Sequence, residues 1–183
     1  MDEYVKLAKS AIETYVKTGE KMEPPKDLPE KFYNDRKGVF VTIYAKNNNY
    51  LSNLPKDKKV LRGCVGTFAP TKENIAREII DNAISAAIRD YRFNPVSEDE
   101  LDNLAYEVSL LNSPEKISST ENLNPKKYGV IVKSLDGRMG LLLPDIKEVE
   151  TSEQQISIAC QKAGINLKIE KIELFRFTVE KHK

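Results

Sequence analysis

Strand-like stretches outnumber helical ones along this chain, and they do not alternate with helices in a regular βαβ rhythm. That order points to an α+β fold with a mainly antiparallel sheet flanked by helices. Gly38 to Tyr44 sets Val39, Val41 and Ile43 against Phe40, Thr42 and Tyr44, apolar enough on both faces for an interior strand. Val60 to Phe68 reads as a second strand, interrupted by Gly63 and Gly66. Tyr106 to Leu111 is a third, closed by Pro114. Val130 to Lys133 and Arg138 to Leu143 flank Asp136-Gly137, a hairpin signal. Ile172 to Glu180 reads as one last strand, with Phe175, Phe177 and Val179 sharing a face. Asn47-Asn48-Asn49 and Leu54-Pro55-Lys56-Asp57 are loop text.

The helices announce themselves by spacing. Val5, Ala8, Ala11, Ile12, Tyr15 and Val16 recur at three and four residues, and Gly19 supplies a stop. Pro24-Pro25 and Pro29 force an extended connector. Asn74 to Arg89 places Ile75, Ile79, Ala83, Ala86 and Ala87 on one stripe. Ser97 to Glu100 forms a capping box for a short helix, and Ser152 to Gln155 caps another that ends at Gly164. The polar stretch 112–127, with Pro114 and Pro125, is the expected place for a boundary between two lobes of one domain spanning 1–183.

Composition narrows the function classes. With 40% hydrophobic and 31% charged residues, the chain is too apolar to be disordered. Its 29 basic residues against 28 acids give no field that argues for nucleic acid, which is a disfavoured partner, or for an acidic membrane. No apolar run approaches the ~18 residues of a membrane helix. The charged, amphipathic segment Met1 to Lys6 is unlike a secretory leader, so a cytoplasmic location is expected. Cys64 and Cys160 lie far apart without a CxxC pair, which favours reduced thiols.

Chemistry concentrates at Arg62-Gly63-Cys64-Val65-Gly66-Thr67. In an extended chain residues two apart share a face, so Arg62 and Cys64 are expected to point the same way. A guanidinium beside a thiol favours the thiolate, and glycine-flanked N–H groups suit an anion or oxyanion. Glycines inside a strand also mark a bulge or a close approach. The alternative is a buried, inert cysteine with glycines that serve packing alone. His182 is the only histidine and lies far along the chain, which disfavours a Cys–His pair. Two distant cysteines and that histidine form no zinc pattern, so no metal site is expected. No Walker A loop or dinucleotide fingerprint is present. Tyr44, Tyr50 and Phe68 fit core and loop roles better than base stacking.

Leu61-Arg62-Gly63-Cys64-Val65-Gly66-Thr67 closely resembles the LRGCIGT signature of the AMMECR family, departing only at Val65. Ala87 to Phe93 resembles that family's A-x-R-D-P-R-F stretch, with Tyr91 in place of proline. Tyr106 to Leu111 is similar to its E-V/I-S-V/L-L strand, Gly140 to Pro144 to its G-L-L-L-P arm, and Cys160 to Gly164 to its C-x-K-A-G helix end. The resemblance implies a single AMMECR-type domain with a larger and a smaller lobe and a signature segment lining a cleft between them. It assigns no reaction and no cofactor. It suggests a modification pathway shared with Memo-like and radical-SAM proteins. This chain has no CxxxCxxC motif, so it is not itself the radical-SAM component.

The resulting expectation is a small-ligand-binding or enzymatic domain whose cleft contains Arg62, Cys64 and Glu107. Cys64 would be the nucleophile or covalent acceptor, with Arg62 lowering its pKa. Glu107 would pair with Arg62, act as a general base, or face water. Gly63, Gly66 and Thr67 would bind ligand with Arg62. Arg89 and Arg92, near the rim, would hold an anion, or else simply complement a helix end. The alternative is a non-catalytic regulatory adaptor that offers the same surface to a protein or nucleic acid.

Overall fold

The computed structural model describes residues 2–46 and 59–183, so the expected loops at Asn47–Asn49 and Leu54–Asp57, and Tyr50, lie outside the described residues. The first helix, α1 (Glu3–Thr18), starts where the Asp2 side chain accepts the Tyr4 N–H at 2.9 Å. It stops at Gly19, whose φ of 74° is left-handed. A single turn, α2 (Lys31–Asn34), follows the proline connector and buries Phe32. The third helix, α3 (Ile75–Ile88), is capped by Asn74, whose side chain accepts the Arg77 N–H at 3.0 Å.

Among the described residues the strands form two four-stranded sheets. In chain order they are β1 (Gly38–Ala45), β2 (Val60–Thr67), β3 (Leu104–Leu111), β4 (Glu115–Ile117), β5 (Gly129–Ser134), β6 (Met139–Leu142), β7 (Ile172–Phe177) and β8 (Val179–His182). One sheet runs β2-β1-β3-β8 and the other β4-β7-β5-β6. The chain divides into two compact units, residues 1–110 with 181–183 and residues 111–180.

In the first unit α1 and α3 cover one sheet face. Val39, Val41 and Ile43 of β1 and Leu104, Tyr106, Val108 and Leu110 of β3 join Ile12, Ile79 and Ile80 in its core. Each such side chain contributes roughly 1.5–3 kcal/mol when fully buried. Alternation therefore turns Phe40, Thr42, Tyr44, Glu107 and Ser109 to the opposite face.

The register of β1 on β2 carries the main irregularity. Thr42 lies opposite Cys64 and Ile43 opposite Gly63, but Tyr44 lies opposite Leu61. Arg62 is thus the extra residue of a β-bulge. Gly63 faces α3 so closely that an added Cβ would sit 2.2 Å from the Ala86 carbonyl oxygen. Only a glycine lets helix and strand approach to that distance.

The second unit repeats this device. Its helix α4 (Ser152–Lys162) buries Ile156, Ala159 and Cys160 with Val130 and Val132 of β5. A Cβ on Gly140 of β6 would meet the Ala159 oxygen at 1.9 Å. The cap of α4 is Thr151 in a box with Gln154, one residue earlier than the sequence suggested. Gly137, at φ 91°, turns the hairpin from β5 to β6.

The expected single strand over Ile172–Glu180 is corrected. β7 pairs with β5, from Gly129 opposite Phe177 to Ser134 opposite Ile172. β8 belongs to the other sheet, and Thr178 separates the two. Apolar alternation runs through the break undisturbed, which is why periodicity does not reveal it. Within the polar stretch 112–127 lies β4, an edge strand whose Glu115 sits opposite Arg176 and pairs with it at 2.5 Å. No helix among the described residues is long and apolar enough to cross a membrane.

Candidate functional site

Arg62, displaced by the bulge, reaches away from the Cys64 side chain. Its Nε and Nη2 donate to the two carboxylate oxygens of Glu100 at 2.7 and 2.8 Å, a forked pair. Nη1 and Nη2 also donate to the Asn94 and Pro95 carbonyls at 2.9 and 3.3 Å. Its side chain is 15% exposed. Glu100 in turn accepts the Ser97 N–H at 3.0 Å and closes the capping box of the 3-10 turn Glu98–Asn103. The Arg62 fork holds the Glu100 carboxyl down at about 2. These contacts correct two expectations. Arg62 does not pair with Glu107, and it does not stand beside the thiol. Its role here is to strap the segment after α3 to β2.

Cys64 is held differently. As β2 is the first strand of its sheet, the Cys64 N–H and C=O face an edge with no further strand among the described residues. Asp90 Oδ2 accepts that N–H at 2.8 Å, and Arg92 Nη2 donates to that carbonyl at 3.3 Å. Arg92 also grips Asp90 through Nε and Nη2 at 2.9 and 2.7 Å. Together they imitate the partner strand that the edge lacks. Asp90 is 6% exposed, and the Arg92 guanidinium holds its carboxyl well below the usual carboxylate range. The Cys64 N–H, central among the donors expected to serve an oxyanion, is therefore already engaged.

The Cys64 side chain meets Thr42, the residue directly opposite, with Oγ1 and Sγ sharing a hydrogen bond at 3.2 Å. Burial pushes the thiol up from its ordinary value; the Thr42 hydroxyl and the Arg92 charge pull it back, while Asp90 and Glu107 oppose them. This corrects the expectation of a thiolate activated by Arg62. Burial likewise raises the Tyr44 phenol, with Glu107 and Cys64 adding to the effect. Glu107 lies one strand beyond β1, and Lys183 Nζ approaches it at 3.4 Å. Cys64 and Thr42 thus face each other across β2 and β1, with Tyr44 two residues further along β1 and Glu107 on the adjacent β3.

The remaining candidates separate. Arg89, the residue capping the end of α3, lines a small cavity of about 280 Å³ with Tyr15, Lys21, Asp81, Ile84 and Ser85. Arg92 belongs with Asp90 and Cys64, so the two arginines do not act as one rim. Thr67 Oγ1 donates to Glu78 at 2.6 Å on the helix side of the sheet. A Cβ on Gly66 would meet the Phe40 ring at 2.2 Å, so that glycine is filled by an aromatic neighbour.

Asp90, Glu100 and Glu78 hold β2 in place, and sequence alone gives none of them that role. Glu78 is 1% exposed and accepts from both the Thr71 N–H and the Lys72 N–H at 2.7 Å, and from the Thr67 and Thr71 hydroxyls. A carboxylate inside an apolar helical stripe was the available signal for it. Asp90 lies between Arg89 and Arg92 in the chain, where an acidic residue carries no motif of its own. No group of three or more His, Cys, Asp or Glu that could hold a metal ion occurs among the described residues, and both cysteines are free thiols.

Comparison with known proteins fits this geometry into a family. A protein of Thermotoga maritima is 47% identical over 180 residues, covering 98% of this chain and 97% of that protein. A longer protein of Clostridium acetobutylicum is 41% identical over 183 residues, and this chain accounts for 36% of it. The crystal structure of an uncharacterised protein from Pyrococcus horikoshii matches with a TM-score of 0.82 at 36% identity, covering 97% of this chain and 88% of that one. The family model AMMECR1 matches residues 5–182, and the chain belongs to that family.

Proposed function

We propose that the first unit binds a small molecule on the sheet face that carries Cys64, Thr42, Tyr44 and Glu107. Cys64 serves there as a protonated thiol contact and not as a nucleophile. The observation that carries this reading is the polar pair of Thr42 and Cys64. Thr42 Oγ1 and Cys64 Sγ lie 3.2 Å apart on the face opposite the helices, with Glu107 on the next strand, β3. A fold that needs only a packed sheet gains little from a thiol, a hydroxyl, a phenol and a carboxylate on one half-buried face. Small-molecule sites, in contrast, combine an apolar surround with a few convergent polar groups.

The clamp on the Cys64 main chain supports the same reading. Both backbone polar groups are satisfied by Asp90 and Arg92, so the main chain that carries the thiol is fixed in place. Native mass spectrometry of the purified protein tests the proposal. A small molecule retained by the unaltered chain, and lost from Thr42→Val and Cys64→Ala, is the expected result. Retention of the same molecule by both variants would overturn it.

A further inference from the structure

We propose that the ligand of the Cys64 face carries a primary ammonium group, and that Glu107 receives it where Lys183 now stands. This rests on the reading of that face as a binding site and names the chemistry it selects.

The neighbouring covered carboxylates of the first unit are saturated. Asp90 accepts the Cys64 N–H and the Arg92 fork. Glu100 accepts the Arg62 fork and the Ser97 N–H. Glu78 accepts two backbone N–H groups and two hydroxyls. Glu107 differs. Its side chain is 13% exposed, yet among the described residues its charge partner is the single Lys183 ammonium, itself 67% exposed, at 3.4 Å. That separation exceeds the roughly 2.7–2.9 Å of a charge-assisted hydrogen bond. A covered carboxylate requires a close cation or several donors, and Glu107 has one distant, solvated cation. Lys183 is therefore displaceable, and it stands in for the group that the carboxylate suits.

The rest of the face favours the same sign of charge. Tyr44 and Cys64 stay neutral beside Glu107, so neither competes with it for a cation. The Arg92 charge is offset by Asp90. Among the described residues Lys183 is the one cation paired with Glu107, so once that ammonium is displaced an arriving anion would meet the bare carboxylate. With strands spaced about 4.8 Å apart and β1 between them, Cys64 and Glu107 stand at least about 10 Å apart. A short alkyl chain anchored on Glu107 therefore runs over Tyr44 and Thr42 and shields the sulfur.

The test is iodoacetamide labelling of Cys64 in the full chain, mapped to its peptide to separate it from Cys160. It is run at one pH and ionic strength with increasing n-pentylammonium or pentanoate. Pentylammonium is expected to slow labelling saturably, and pentanoate to leave it unchanged. Lys183→Gln removes the competing ammonium and should lower the half-saturating concentration by roughly two- to fivefold. Glu107→Gln should raise it about tenfold or more, relative to its own amine-free rate. If Glu107→Gln does not fold, Glu107→Asp, which withdraws the carboxylate by one methylene, should show the same direction. Equal protection by pentanoate, or protection that survives loss of the Glu107 carboxylate, overturns the proposal. A retained molecule that depends on Thr42 and Cys64 but bears no amine would also overturn it, while leaving the binding face itself standing.

Discussion

Asp90 Oδ2 accepts the backbone N–H of Cys64 at 2.8 Å, on the outer edge of β2, the first strand of its sheet. The carboxylate takes the place of a neighbouring main-chain carbonyl, and Arg92 supplies the matching donor. Asp90→Ala removes both the edge partner and the anchor of Arg92. Breaking a buried pair costs about 3–5 kcal/mol, and the exposure of Arg92 brings the expected loss to roughly 2–3 kcal/mol. Asp90→Asn keeps an acceptor oxygen for the N–H and should lose less. Urea unfolding of the two variants checks the order.

The thiol itself should resist alkylation at neutral pH. The rate of iodoacetamide labelling should inflect above the ordinary value of ~8.5, because burial disfavours the thiolate. Thr42→Val and Arg92→Gln each remove a contribution that lowers it, so both should move the inflection higher. Glu107→Gln should move it down. An inflection below the ordinary value would restore a nucleophilic role to Cys64.

Acid should loosen the strap between Arg62 and Glu100. The folded Glu100 carboxyl titrates at about 2, below the ~4.3 of an unfolded glutamate. A depressed carboxyl contributes stability that is complete above the unfolded value and disappears as pH falls through the folded one. Stability should therefore decline between about pH 5 and pH 2, with this pair contributing about 2 kcal/mol. Arg62→Met removes the cation and should flatten that part of the pH profile. Denaturant midpoints measured across the window decide it.

Two glycines should prove intolerant for one shared reason. Gly63→Ala and Gly140→Ala each drive a Cβ into a helix carbonyl, that of Ala86 or Ala159, and backbone cannot rotate aside as a side chain does. A loss of about 2–3 kcal/mol is expected for each, from overpacking. Gly137→Ala, with nothing within 4 Å, suffers only from its left-handed φ and should cost about 1 kcal/mol. Thermal melts of the three variants rank them.

What the sequence discloses depends on whether a feature has a period. The stripes of α1 and α3, the stop at Gly19 and the hairpin turn at Gly137 follow local rules, and lie where those rules put them. The bulge at Arg62 obeys no period. A single extra residue redirected the guanidinium to Glu100, and strict alternation gives no hint of it. Glu100 itself was visible only as a capping residue, though it performs two tasks at once. Glu107 and Cys64 were singled out, yet the groups that surround them come from Thr42, Asp90 and Lys183, which are distant in the chain. Proximity of that kind is a product of sheet order and has no local signature.

The place of β8 in the chain has a consequence for biosynthesis. It completes the sheet of the first unit, but a ribosome reaches it only after translating nearly all of the second. Until then the outer rim of β3 has no neighbour, and a growing polypeptide carries an open, adhesive border. The assembly of the amino-terminal half is thereby timed by the carboxy-terminal one.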